Sequence, residues 1–154
     1  MKHILILLLT FLACRASAQK LNFTGDYEVD LSKTDFGTAP QYVLPKKIKI
    51  EQANDKIIIS RVQLDQNLAE QKPIVDTLTF DGKSFSRKNT SGTLTSSKLS
   101  WADNNTFKVE INGKSNTIEI WKLDISSHML VLDRTVDQND GFKYRVTGNY
   151  TKLK

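Results

Sequence analysis

Cysteine is almost missing from this chain. The 154 residues hold one, Cys14, near the start, so the body of the protein has no partner for a disulfide and no thiol chemistry. Its stability must come from burial and backbone hydrogen bonding. Histidine is nearly as scarce, with His3 and His128 alone. One His and no Cys beyond the first residues leave no Cys/His metal centre to build, so no metal is expected. A serine triad also lacks parts, since no serine stands in Gly-x-Ser-x-Gly and His128 follows a Ser126-Ser127 turn. The oxygens of Asp137, Asn139 and Asp140 are accounted for by an Asn-Asp-Gly turn without a calcium ion. Asp35-Phe36-Gly37 matches a kinase motif in letters only, with no glycine-rich loop or strand lysine to go with it. Neither an enzyme nor a cofactor is expected.

Charge of one sign is missing too. Lys and Arg number 22 against 17 Asp and Glu, for a net charge of +5. The cations are spread along the chain, which excludes the clustered basic patch of a nucleic-acid binder. Long apolar runs are absent apart from Ile4–Ala13, too short to cross a bilayer as a helix, so no stable membrane span is expected. That run follows Lys2 and His3 and precedes Ala16-Ser17-Ala18, the pattern of a secretory signal peptide over residues 1–18. Export to the periplasm or beyond is the expectation, with residues 19–154 as one domain and a monomer. Two of the surplus positive charges, Lys2 and Arg15, leave with the leader. Phe11-Leu12-Ala13-Cys14 is a loose lipobox, and its alternative is a lipoprotein anchored through Cys14.

What is present is alternation. Phe23, Gly25, Tyr27, Val29 and Leu31 share one face of a strand whose other face carries Thr24, Asp26, Glu28 and Asp30. Lys46–Glu51 turns Ile48 and Ile50 inward. After Ala53-Asn54-Asp55 comes Ile57-Ile58-Ile59, with a polar tail of Arg61, Gln63 and Asp65. The polar loop Gln66–Lys72 precedes strand Pro73–Phe80. Asp81-Gly82 then turns into a short strand, Lys83–Arg87. From Gly92 to Lys152 the pattern is strand and turn without interruption: Thr93–Trp101, Thr106–Ile111, Asn116–Asp124, Met129–Val136 and Phe142–Thr151. No intervening segment has the length or the 3.6-residue period of a crossover helix, so neighbours must run antiparallel. The expected fold is all-β, an up-and-down meander of about nine or ten strands. Closing the sheet on itself removes its two edges, which favours a barrel over an open sheet or a sandwich.

In such a barrel the informative residues are the polar ones that alternation sends inward. Arg134 shares a face with Leu130, Leu132 and Val136. Asp76 shares one with Ile74, Leu78 and Phe80, and Lys122 one with Ile118 and Ile120. A buried charge needs a partner: either Arg134 meets Asp76 or the acid group of a ligand in the lumen, or these groups reach water near strand ends, or Arg134 is a structural pair at the barrel's closed end. Trp101 and Trp121, on faces with Leu99 and Leu123, read as core plugs.

The order of these features resembles the bacterial lipocalin-like domains, small exported barrels common in Bacteroidetes. The features are an exported leader, Gly25-x-Tyr27-x-x-Asp30, Lys33-Thr34-Asp35-Phe36-Gly37, Pro40, an x-Ile-x-Ile-Glu51-Gln52 strand, and Val131-Leu132-Asp133-Arg134-Thr135. The likeness runs over most of residues 22–152. It implies a lipocalin-like β-barrel of eight to ten strands whose cavity holds a small hydrophobic or amphipathic ligand. Lipocalins open with Gly-x-Trp, the Trp packed under an Arg. Here the aromatic is Tyr27, and Arg145 and Arg134 are the candidates for its cation. The speculative lumen site is thus Arg134, Asp76, Lys122, Trp121 and Tyr27. The alternative function is an envelope interaction or inhibitor module with a filled core.

Overall fold

The computed structural model describes residues 20–88 and 92–154. The leader and Cys14 lie outside the described residues, as does most of the polar run after Arg87. Ten strands follow one another: β1 (Gly25–Val29), β2 (Lys47–Gln52), β3 (Lys56–Val62), β4 (Ile74–Thr79), β5 (Ser84–Lys88), β6 (Leu94–Trp101), β7 (Thr106–Asn112), β8 (Ser115–Asp124), β9 (Met129–Gln138) and β10 (Lys143–Lys152). They form one sheet in the order β4-β3-β2-β1-β10-β9-β8-β7-β6-β5, every pair antiparallel.

The first strand therefore pairs with the last, and the two edges of the sheet are β4 and β5, consecutive in the chain. Twist curls the sheet until these edges face each other. No ladder joins them among the described residues. Side chains span the seam instead. Phe80 stacks on Trp101 at 4.8 Å between ring centroids, and Arg87 Nε stands 2.9 Å from Asp76 Oδ1. The result is a nearly complete lipocalin-like barrel.

The interior is uneven. One end is plugged by aromatics: Phe23 meets Phe107 edge-on at 4.7 Å, and Phe107 stacks on Trp121 at 5.7 Å. Below them Ile48, Ile50, Ile57, Ile59, Leu78, Leu99 and Leu130 are all buried. Turns at this end use positive φ at Gly82 (φ 75°), where the sequence asks for it, and also at His128 (φ 55°), where it does not. The opposite end carries the β1–β2, β3–β4, β7–β8 and β9–β10 connections and is the open mouth.

Two expectations are corrected here. On β8 the alternation runs the other way: Glu119 and Trp121 are fully buried, whereas Ile118 is 46% exposed and Lys122 lies on the outer surface. Two isoleucines beside a lysine mimic an inward face, but a strand can bury only one side, and the Trp121–Leu123 side removes more surface from water. Leu31, assigned to the inner face of the first strand, lies beyond β1 and is 55% exposed.

The long β1–β2 connection is not a free loop. Asp35 bridges Thr147 by backbone hydrogen bonds of 3.0 Å in both directions. A 3-10 turn at Gln41–Val43 follows, and Leu44 is buried against Gly148. A Cβ on Gly148 would stand 2.8 Å from Tyr150 Cε2 and 2.9 Å from Leu44 Cδ1. Gly148→Ala is accordingly expected to lose about 1–3 kcal/mol in urea unfolding, the usual cost of an overpacked site. The same change at Gly92, with nothing near a new Cβ, pushes against no neighbour and meets only the local strain of its positive φ.

Candidate functional site in the barrel lumen

Between the aromatic plug and the mouth lies a band of charge. Cross-strand register creates its centre, since β8 and β9 pair Glu119 directly with Arg134. Both point inward, and Arg134 clasps Glu119 Oε1 through Nη2 at 2.7 Å and Nε at 3.1 Å. The other oxygen, Glu119 Oε2, accepts from Arg61 Nη2 at 3.1 Å and from the Trp121 indole Nε1 at 3.0 Å. Arg61 comes from β3, where it continues the inward row of Ile57 and Ile59. Its Nη1 donates to Asp76 Oδ2 at 2.5 Å, and its guanidinium stands over the Trp121 ring at 5.3 Å. Arg134 also donates to the backbone carbonyl of Val43, so this band holds the β1–β2 connection in place. Tyr150 assists from β10, its hydroxyl donating to the Pro45 carbonyl at 2.9 Å.

Burial makes these contacts matter. The side chains of Glu119, Asp76 and Arg61 are 0%, 3% and 5% exposed. Burial alone would push the Glu119 carboxyl up. Arg61, then Arg134, with hydrogen bonds from Arg134 and Trp121, outweigh it and hold the group below the usual carboxylate range. Glu119 is thus an anion in the fold, as its two guanidinium partners require. Three buried polar atoms in the band have no aligned partner among the described residues: Arg61 Nε, Asp76 Oδ1 and Arg87 Nε.

Arg134, Asp76 and Trp121 therefore lie in or on one network, although Arg134 meets Glu119 rather than Asp76. Lys122 is outside the barrel. Tyr27 is buried, but its hydroxyl donates to the Phe23 carbonyl at 2.8 Å, away from the charges, and burial raises its pKa. The cation over its ring is neither Arg145 nor Arg134 but Lys152, at 5.8 Å. Arg145 is on the outer surface, paired with Asp133. Glu119, Arg61 and Arg87 escaped the sequence reading. A period-two count from Ile57 reaches Arg61, and a count from Trp121 reaches Glu119. Neither count shows that the three strands meet across a lumen.

Among the described residues two large cavities open at the mouth, and a smaller one of about 250 Å3 is lined by Val29, Phe36 and Leu44. One of the two, of about 680 Å3, runs between the β7–β8 and β9–β10 turns down to Tyr144 and Val136. Val136 is the inward position next above Arg134 on β9. The other, of about 650 Å3, lies over the seam, lined by Asp65, the Glu70–Val75 stretch, Arg87 and Lys88. Both fall in the usual size range of small-molecule sites. Among the described residues no group of three or more His, Cys, Asp or Glu could hold a metal ion, and no helix is long and apolar enough to cross a membrane.

No family model matches the chain, and no curated protein does. Among solved structures, it is similar to a Schistosoma mansoni fatty acid binding protein in complex with arachidonic acid. The TM-score is 0.58 at 16% sequence identity, over 86% of this chain and 96% of the other. The shared property is the fold, an all-β barrel.

Proposed function

We propose that this protein is an exported carrier that holds a small amphipathic ligand in the mouth half of its barrel. The observation that carries the reading is the asymmetry of the interior. One end is a solid aromatic plug, the other has two cavities of ligand size, and a charged band lies between. An apolar segment would lie against Val136 and Tyr144, with a polar group toward the charges. The structural neighbour's arachidonic acid is a ligand of this general kind, and the leader pattern of residues 1–18 supports export.

A second reading has its own support. The centre of the lumen is full, with Glu119 and Trp121 entirely buried and both Glu119 oxygens occupied. This favours the interaction module with a filled core, in which surfaces rather than cavities would act.

Native mass spectrometry of the mature protein, taken from its own host's envelope, separates the two. The carrier reading expects an adduct of a few hundred daltons that leaves on denaturation. It also expects a bound ligand to raise the unfolding free energy, by about 2.7 kcal/mol at a hundredfold excess over Kd. A bare mass, with no saturable uptake of fluorescent fatty acids, would overturn the carrier reading and favour the filled module.

A further inference from the structure

We propose that Arg87, on the free edge of β5, receives the acid group of a monoanionic ligand at the seam between β4 and β5. The inference rests on the carrier reading and names the ligand's charge, its anchor and its point of entry.

The charged band is not neutral. Three guanidinium groups, Arg61, Arg87 and Arg134, face two carboxylates, Asp76 and Glu119. One positive charge is left over, and the geometry shows where it resides. Arg61 is bonded to both carboxylates. Arg134 holds Glu119 through two nitrogens and the Val43 carbonyl through a third. Arg87 alone is loosely held. Its Nε stands 2.9 Å from Asp76 Oδ1, yet neither atom has an aligned hydrogen-bond partner. Its side chain is 33% exposed, against 5% and 12% for the other two.

Arg87 also borders the cavity of about 650 Å3 over the seam. The rim of that cavity carries Asp65, Glu70, Lys72 and Lys88, and Glu70 is already paired with Lys46 and Lys47; within the buried band the one surplus charge is that of Arg87. A single negative charge matches it; a dianion exceeds it. The short contact with Asp76 is through Nε, so the Nη edge can grip a carboxylate or sulfonate in a fork without leaving Asp76. Entry at this place requires no ladder to break, because β4 and β5 share none. The β1–β2 side of the mouth, by contrast, is fastened by Arg134, Tyr150 and the Asp35–Thr147 bridge.

The test titrates the full chain with dansyl-labelled undecanoic acid and with its methyl ester, following dansyl emission. The wild type is expected to bind the acid about tenfold more tightly than the ester, the value of one charge-assisted fork. Arg87→Gln should abolish that preference, lowering the affinity for the acid to about that for the ester. Arg87→Lys keeps the charge and loses the fork, and should retain only part of the preference. It serves as the second variant if the glutamine form unfolds. An acid preference that survives intact in both variants overturns the assignment and leaves the carrier reading standing. Equal binding of acid and ester by the wild type overturns it as well. No binding of either probe removes both.

Discussion

Glu119→Ala is expected to destabilise the protein by about 3–5 kcal/mol, the cost of leaving buried guanidinium groups without their anion. Two of them depend on it. Arg134 has two of its bonds on Glu119 Oε1, and Arg61 has one of its two on Oε2. The Trp121 indole N–H loses its acceptor as well. Urea unfolding monitored by tryptophan emission reads the loss. Because Arg134 also pins Val43, amide exchange at Leu44 and in the turn before it should quicken. The exposed pair Arg145–Asp133 is the control: Arg145→Ala should change stability by no more than about 1 kcal/mol. A Glu119→Ala loss no larger than that control would show that the band does not hold the barrel together.

The same residue gives a pH dependence with a definite sign. Its carboxyl titrates lower in the fold than in the unfolded chain, despite burial, because of Arg61 and Arg134. Such a group contributes stability that is fully present above the unfolded carboxylate pKa and is lost as pH falls toward the folded value. Acid unfolding of the wild type should therefore steepen below the ordinary Glu range. Glu119→Gln should flatten that part of the curve while retaining the shape of the side chain. An unchanged acid limb in this variant would contradict the assignment.

Trp121→Ala is the second large effect, expected at about 3–5 kcal/mol as for other buried aromatics cut back to alanine. Trp121 is fully buried, stacked on Phe107 and flanked by the Arg61 guanidinium. Its removal opens a void where the aromatic plug meets the charged band. Trp121→Phe separates packing from hydrogen bonding. It keeps most of the volume and drops only the donor to Glu119 Oε2, so its loss should be about 1–3 kcal/mol, the range for a hydrogen bond to a charged group. If Trp121→Phe proves as costly as Trp121→Ala, the indole N–H rather than the ring volume is what the site requires.

Much of this molecule could be read along the chain. The strand-and-turn rhythm from Gly92 onward, the inward Ile48 and Ile50, and the Asp81-Gly82 turn are local patterns, and local sterics decide them. The meander then leaves few ways to arrange the sheet, because short turns force each strand against the last. The interior of β9 was legible for the same reason: Leu130, Arg134 and Val136 alternate without ambiguity. The face of β8 was not. Ile118, Ile120 and Lys122 compete with Glu119, Trp121 and Leu123, and each set has apolar members and one charge. Arg61 was hidden at the polar end of an isoleucine run, where a charge near a strand terminus ordinarily reaches water.

The sequence by itself determined the class of the fold: the strands, their antiparallel order, the disulfide-free interior and the presence of charges that alternation sends inward. Only the tertiary structure decided which charges meet. Arg61, Asp76, Glu119 and Arg134 lie on four strands, and Arg87 on a fifth, separated by long stretches of chain. Glu119 and Arg134 meet on paired strands, as do Arg61 and Asp76, but the contacts of Arg61 with Glu119 and of Arg87 with Asp76 depend on how far the sheet curls before β4 and β5 face each other. That curl sums twist over ten strands, and no local pattern records it, because alternation specifies a face and not the opposite wall.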